Sequence, residues 1–282
     1  MKKQQLLLAG GGFVIFILLY FFSPTVSPDK HVHKEGEEPH SAVNQSIKFE
    51  DLLSKAKERI TPEQVIRLGN LENSVVRGDI KEQKIHVFHQ LARFWADSAR
   101  IFEPYAWYTA EAAKLENSEK SLTFAAQLLL DNLRGVEQPE LKSWLAGQSK
   151  ELFEKAIVLN PDSDSLKVGL GSTYIFGAPA EDPQAVMQGI QQILEVNRRD
   201  TGFVYAEKML GIGGILSGQY DKAVERLEKV ATKEPADLEV MLMLAEGYER
   251  MGNKQKAISW YEHASDHVAN PALKEELNKR IR

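Results

Sequence analysis

Two histidines near the C-terminal end of the chain have the spacing of metal ligands. His263 and His267 stand four residues apart in EHASDH, so both side chains would lie on one face of a helix. The zinc-protease pattern requires a glutamate directly after the first histidine as general base, and Ala264 occupies that place. The pair therefore favours a solvated helix surface over a metal site.

Two glycine-rich segments have a composition that could cradle a phosphate group, GLGSTYIFG at residues 169–177 and GIGGILSG at residues 211–218. Neither follows a predicted strand, and neither contains the Gly-Lys-Ser/Thr of a P-loop. His86 and His89 lie near Trp95 on a predicted helix, where a packing or surface role is the simpler interpretation. The sequence therefore predicts no catalytic residue, no metal site and no cofactor.

The composition restricts the classes of partner. Of 282 residues, 43% are hydrophobic and 27% are charged, as in a folded protein, and the formal net charge is −5. A protein that binds nucleic-acid phosphates needs a local excess of Lys and Arg, which is not seen, so nucleic acid is not a predicted partner. Cysteine is absent, which excludes disulfides, thiolate metal sites and lipid attachment to an N-terminal cysteine.

The longest uncharged segment is LLLAGGGFVIFILLYFF at residues 6–22, directly after a basic N-terminus at residues 1–5. As a helix it would span roughly 25 Å, against about 30 Å for the core of a bilayer. Its aromatic end favours a membrane–water boundary, and it lacks the small-residue site at which signal peptides are cleaved. The segment predicts a transmembrane anchor in the lipid bilayer at residues 6–23, rather than a cleaved signal or a buried helix.

Charged residues on the two sides of the anchor indicate its orientation. Lys2 and Lys3 precede it, while Lys30 and Lys34 follow it among acidic residues. Because cytoplasmic flanks carry an excess of Lys and Arg, this bias narrowly favours an N-terminus inside. The sequence predicts a single-pass protein of the inner (cytoplasmic) membrane whose remaining domain is periplasmic or otherwise extracytoplasmic.

Residues 24–45 are polar and rich in Pro, Glu, Lys and His. Such a segment cannot bury enough apolar area to offset its ordering entropy, so we expect a flexible linker. His31, His33 and His40 stand beside glutamates in it, but they lack the spacing of a four-ligand metal site. Solvated linker residues are the preferred interpretation.

Residues 210–235 can be laid over residues 244–269 at a shift of 34 residues. Small residues recur where two helices would approach closely, large ones where neighbouring helix pairs would meet, and glycines where a helix would end with positive φ. The predicted packing residues are Leu210, Gly211, Gly218, Ala223, Leu227, Leu244, Ala245, Tyr248, Gly252, Ala257, Tyr261 and Ala264. Gly214 stands where the second copy has Tyr248, and we expect looser packing around it.

These positions resemble the tetratricopeptide repeat (TPR), whose pattern runs Leu-Gly/Ala, an aromatic residue, a turn glycine, Ala, an aromatic residue or Leu, Ala and Pro. The resemblance implies an all-α solenoid of stacked antiparallel helix pairs. We predict about five pairs over residues 84–270, clearest at 203–236 and 237–270. N-terminal helices at 46–83 would precede them, and residues 271–282 would form a capping helix.

Such a stack has a concave groove lined by the first helix of each pair, and the resemblance implies that a protein or peptide partner binds there. The groove candidates are Ser172, Ile175, Tyr205, Lys208, Ile212, Leu242, Glu246 and Glu249. Their mixed character suggests an extended peptide, and the Lys/Asn carboxylate clamp of some family members is not reproduced. The sequence predicts a non-catalytic membrane-anchored adaptor that assists protein assembly or translocation. The alternatives are a self-associating homo-oligomeric scaffold and an enzyme with an unrecognised site.

Overall fold

The computed structural model describes residues 47–76, 80–179 and 182–281. Within these ranges the chain is helical and contains no β-strand, so the prediction of an all-α fold is confirmed. The predicted basic segment, anchor and linker, residues 1–45, lie outside them. In the described part, no helix combines the length and the apolar composition that crossing a membrane requires.

Thirteen α-helices follow one another in the described residues. They are α1 (Phe49–Lys57), α2 (Pro62–Val76), α3 (Lys81–Arg93), α4 (Phe102–Glu116), α5 (Glu119–Leu133), α6 (Pro139–Leu159), α7 (Asp164–Gly177), α8 (Pro183–Arg199), α9 (Val204–Leu216), α10 (Tyr220–Lys233), α11 (Leu238–Arg250), α12 (Lys254–His267) and α13 (Pro271–Ile281). A π-helical turn, Phe94–Ala99, extends α3.

Consecutive helices pack as antiparallel pairs. The pairs are α3 with α4, α5 with α6, α7 with α8, α9 with α10, and α11 with α12. At the N-terminal end α1 packs on α4 and α2 on α3, and at the C-terminal end α13 packs on α12. The predicted architecture of stacked helix pairs is thereby confirmed.

Local sequence signals set many of the helix ends. Side-chain caps that accept a hydrogen bond from the backbone N–H three residues on begin α5, α7, α8, α11 and α12, at Ser118, Ser163, Asp182, Asp237 and Asn253. Gly218 and Gly252 have φ values of 77° and 76° in the turns after α9 and α11. Because side chains disfavour this left-handed conformation, glycine is the residue that lets each pair reverse direction tightly.

The stack curves toward its first helices. From the second described pair to the fifth, the first helices of successive pairs are in direct contact, α5 with α7, α7 with α9, and α9 with α11, whereas their second helices are not. Between the first and second pairs it is instead the second helices, α4 and α6, that touch. From the second pair onward, the first helices therefore form the inner, concave layer and the second helices the outer one.

The repeat-packing residues lie where the pairs meet. Apart from the two turn glycines and Leu210, which is half-buried against the core, all are buried. Leu227 and Leu244 are both 0% exposed in a core that extends from α4 to α12. The helices α1 to α4 share a second core, in which the rings of Phe49 and Trp107 stack with centroids 3.7 Å apart.

Glycine permits the closest helix contacts. A Cβ atom on Gly189 of α8 would lie 2.3 Å from the carbonyl oxygen of Gly171 in α7, which is closer than real atoms approach. The same applies to Gly214, where a Cβ would lie 2.8 Å from that of Ala223 in α10. The expectation of looser packing around Gly214 was wrong, because the missing side chain brings α9 nearer to α10.

Two glycine substitutions test this close approach. We expect Gly189→Ala to lower the free energy of unfolding by about 2–3 kcal/mol, because α7 and α8 must separate to admit the methyl group. Gly147→Ala, in the exposed interior of α6 with nothing within 4 Å of the added Cβ, should raise it by up to about 1 kcal/mol. Chemical denaturation measures both values. Equal effects of the two substitutions would contradict a backbone contact at Gly171 and Gly189.

Candidate functional site on the concave face

The structure divides the predicted groove residues among three environments. Ser172 and Ile212 are 0% and 1% exposed and belong to the core, so placing them on the groove surface was wrong. The Ser172 hydroxyl donates to the carbonyl oxygen of Val168, 2.7 Å away in the same helix. Helix α7 is covered by α5 on one side and α9 on the other, so this stripe of the inner layer is sealed. Ile175 is half-buried beside it.

Tyr205 and Lys208 lie in the middle of the concave face, where the protein's own side chains occupy the groove. The Tyr205 hydroxyl donates to Gln127 Oε1 across 3.1 Å, from α9 to α5. Burial raises the pKa of Tyr205 to about 12, so the hydroxyl stays protonated and keeps this hydrogen bond at neutral pH. Lys208 contacts Asp237 Oδ2 at 2.6 Å and Glu239 Oε2 at 3.0 Å.

Arg134 joins this cluster from the end of α5. Its guanidinium contacts Glu239 at the start of α11 with an N–O distance of 2.5 Å and Asp131 at 3.8 Å. Arg134 and Lys208 are both only 18% exposed at the side chain. We name Arg134, Lys208, Asp237 and Glu239 the concave ion cluster. It ties the second, fourth and fifth helix pairs together and fills the middle of the groove.

The groove opens again at the C-terminal end, where a cavity of about 440 Å³ separates α11 from α13. Its walls include three predicted groove residues, Leu242, Glu246 and Glu249. The other lining residues are Arg250, Tyr261, Leu273, Glu276, Leu277 and Arg280. Helix α13 packs on α12 but not extensively on α11, so a space remains where earlier first helices touch. We name this space the C-terminal cavity.

The 34-residue period extends into α13. Leu273, Glu276 and Arg280 follow Glu239, Leu242 and Glu246 by 34 residues each and line the wall opposite α11. The predicted capping helix thus also continues the concave face as a further first helix. The sequence analysis missed these lining residues, although extending the same shift past residue 269 would have found them.

Polar groups on the floor of the C-terminal cavity are bonded to one another. The Tyr261 hydroxyl donates to Glu249 Oε2 at 2.8 Å, and the Arg280 guanidinium donates to the same oxygen at 3.2 Å and to the Tyr261 oxygen at 3.1 Å. Burial, followed by the hydrogen bond to Glu249, raises the pKa of Tyr261, so this phenol remains a donor at neutral pH. These three groups form a hydrogen-bonded polar patch in which Tyr261 is buried and the Glu249 and Arg280 side chains are about half exposed.

The three carboxylates that line the cavity differ in their partners. Glu246 pairs with Arg250 at 3.7 Å, and Glu249 pairs with Arg280. Glu276 has no cationic side chain within 4 Å among the residues that the structure describes. Two arginines therefore face three carboxylates, and the lining carries a net charge of one negative unit.

The residues first considered for chemistry lie apart from the cavity. His263 and His267 are exposed on α12, where the His267 ring contacts the carbonyl oxygen of His263 at 2.8 Å. Within the described ranges, no three His, Asp or Glu side chains converge as metal ligands. The glycine-rich segments are parts of helices α7 and α9 and of the turn after α9, where they serve helix packing.

The concave ion cluster makes the stability of the protein depend on pH in the alkaline range. Burial alone would lower the pKa of Lys208, but hydrogen bonds to Asp237 and Glu239 outweigh it and hold that pKa above 10.5. The contribution of charged Lys208 to the unfolding free energy is then fully present below about pH 10, and it is lost as the pH rises through the folded-state pKa of Lys208.

Substitution of Lys208 tests this contribution. We expect Lys208→Met to lower the unfolding free energy by about 1–2 kcal/mol near neutral pH, because Asp237 loses its cation. The difference from the unaltered chain should shrink above about pH 10.5 in denaturation curves. Lys222→Met, which removes an exposed lysine of α10, should cost less than about 0.5 kcal/mol. A pH-independent loss, or one no larger than that of the control, would contradict the ion cluster.

The tetratricopeptide-repeat family profile matches residues 215–275. A search of curated proteins finds no match. A thermophilic TPR protein of Thermus thermophilus superposes with a TM-score of 0.53 at 17% identity, over 72% of this chain and 99% of that one.

Two further crystal structures are similar at lower scores. A tetratricopeptide repeat protein of Parabacteroides merdae has a TM-score of 0.45 at 14% identity, over 83% of this chain and 98% of that one. YrrB, described as a TPR protein with an unusual peptide-binding site, has a TM-score of 0.40 at 13% identity, over 74% and 97%. The helix pairs of this chain have the tetratricopeptide-repeat fold, and residues 215–275 carry the family's sequence pattern.

Proposed function

We propose that this protein is a non-catalytic, membrane-tethered adaptor that binds a segment of a partner protein in its C-terminal cavity. The observation that carries the proposal is the cavity itself. At about 440 Å³ it falls within the roughly 300–1,000 Å³ typical of ligand sites. Three of the predicted groove residues, Leu242, Glu246 and Glu249, line this open space.

The lining suits a protein segment. Leu242 and Leu273 are partly exposed and face the cavity from opposite helices, so an inserted side chain would bury apolar area on both sides. The hydrogen-bonded patch of Tyr261, Glu249 and Arg280 offers polar groups that would orient a bound backbone. Apolar walls with a few placed polar groups are the usual composition of a recognition site.

The concave ion cluster limits the length of the bound segment. A peptide laid along the whole groove would have to displace Tyr205 from Gln127 and separate Arg134 from Glu239. Leaving these half-buried charges unpaired would cost several kcal/mol, on the order of the affinity gained. A short segment at the C-terminal end therefore replaces the extended peptide expected from the sequence.

Membrane attachment is the second part of the proposal, and it depends on the sequence of residues 6–23 and the linker at 24–45. The unit that contains the repeats is compact in itself, and the predicted linker precedes it in the sequence. A tether raises the effective concentration of the cavity near membrane-bound clients, so modest affinity is sufficient. Such an arrangement suits a factor that assists assembly or translocation of proteins outside the cytoplasm.

Site-directed cross-linking tests the binding site. Benzoylphenylalanine in place of Arg250, on the cavity rim, should yield a discrete adduct with a foreign protein in cells, while the same probe in place of Glu262 on α12 should not. Leu242→Arg, which fills the cavity with a charged side chain, should abolish the adduct because the partner loses its apolar contact. Mass spectrometry identifies the partner.

Other cross-linking outcomes decide against the cavity. An adduct that survives Leu242→Arg, or that forms equally from position 262, would show that the partner binds elsewhere. Adducts composed only of two copies of this chain would support the alternative of a self-associating scaffold.

Membrane attachment and orientation have a separate test in a bacterial host that expresses the full-length chain. The chain should remain in the membrane fraction after carbonate extraction, and deletion of residues 6–23 should release it, because those residues supply the apolar contact with lipid. Protease added to intact spheroplasts should degrade the repeat domain. Protection of the domain until the membrane is lysed would reverse the orientation, and extraction by carbonate would exclude the anchor.

A further inference from the structure

We infer that the segment bound in the C-terminal cavity carries an apolar side chain directly beside a lysine or arginine. This inference rests on the proposed function and names the chemistry of its partner. The apolar side chain would lie between Leu242 and Leu273, and the cation would contact Glu276 on the rim.

The apolar part follows from the shape and lining of the cavity. Leu242 of α11 and Leu273 and Leu277 of α13 contribute leucine side chains, and Tyr261 closes the floor. Leu277 and Tyr261 are nearly fully buried, whereas Leu242 and Leu273 keep exposed surface. That remaining surface is the area an inserted aliphatic or aromatic side chain would cover.

The cationic part follows from the ion pairs around this apolar surface. The charges of Arg250 and Arg280 are engaged by Glu246 and Glu249 at 3.7 and 3.2 Å. Within the described chain, the Glu276 carboxylate makes no ion pair within 4 Å. Arg280, one helical turn farther on, is influenced by the charge of Glu276 but is paired with Glu249. Glu276 lines the cavity together with Leu273. A ligand ammonium or guanidinium at Glu276 gains an ion pair without breaking one.

An acidic partner could not form an ion pair in the cavity without breaking an existing one. To reach a cation in the cavity it would have to separate an arginine from its glutamate while facing Glu276. Farther along the concave face, Arg134 and Lys208 are already paired with Glu239 and Asp237. Like-charge contact and the loss of existing pairs both disfavour a carboxylate there.

Three acetylated and amidated peptides serve as probes of the full-length chain in detergent. Each contains a central Leu-Phe, flanked on both sides by Lys, by Gln or by Glu, and carries a fluorophore for anisotropy. At low salt we expect the Lys peptide to bind about tenfold more tightly than the Gln peptide and the Glu peptide to bind most weakly. Raising NaCl from about 50 to about 300 mM should remove most of this preference.

Two matched variants locate the charge. Glu276→Gln should weaken binding of the Lys peptide by about three- to tenfold and leave the Gln peptide unchanged, because it removes the charge and keeps the shape. Glu275→Gln, which alters the neighbouring exposed carboxylate that pairs with Lys279 at 3.0 Å, should leave both peptides unchanged. Circular dichroism and thermal denaturation confirm that both variants fold.

The results separate this inference from the proposed function. Peptides that bind with equal affinity whatever their charge, a Glu peptide that binds best, or an unchanged affinity in Glu276→Gln would overturn the cationic partner while leaving a peptide site in place. Failure of all three peptides to bind, or binding unaffected by Leu242→Arg, would overturn the cavity as a peptide site and with it the proposed function.

Discussion

The structure depends on one constraint, that a single helix pair cannot bury its own apolar face and must place it against the next pair. Leu227 and Leu244, from successive pairs, are fully buried in one core for this reason. Small residues set how closely two helices of a pair approach, and the closest approach is that of Gly189 to the backbone of Gly171. Close approach within a pair and packing between pairs therefore both serve to bury the apolar faces of the helices.

Curvature follows from that packing and determines where ligands have room. Because the first helices crowd together on the inner face, charged side chains from distant pairs come within bonding distance, as Arg134 and Glu239 do. Half-buried charges that meet in this way must pair or lose stability, and the concave ion cluster is the result. The middle of the groove is thereby occupied, and open space remains where α13 stands away from α11.

The C-terminal cavity combines apolar walls with an incompletely paired set of charges. Its arginines are paired with Glu246 and Glu249, while Glu276, which lines the same cavity, makes no ion pair within 4 Å among the described residues. With the proposed membrane tether, a site of this size would need only moderate affinity to bind a partner at the membrane surface. In the proposed function, the specificity of this site would come from a few residues at one end of the stack.

The sequence by itself determined the helical class and the repeat, because a 34-residue period of small, large and turn residues encodes packing that is local to each pair and its neighbour. Ala223, Leu227, Ala257 and Tyr261 lie in the core as that period requires. The same register predicts Leu242, Glu246 and Glu249 as groove residues, and all three line the C-terminal cavity.

Only the tertiary structure decided which concave positions are accessible. Ser172 and Ile212 share the register of groove residues but are covered, because the degree of curvature is a sum of small rotations over several pairs that no local pattern specifies. The contact between Arg134 and Glu239, 105 residues apart, depends on the same sum. The period thus defines which side chains face inward, and the accumulated curvature defines which of them a partner can reach.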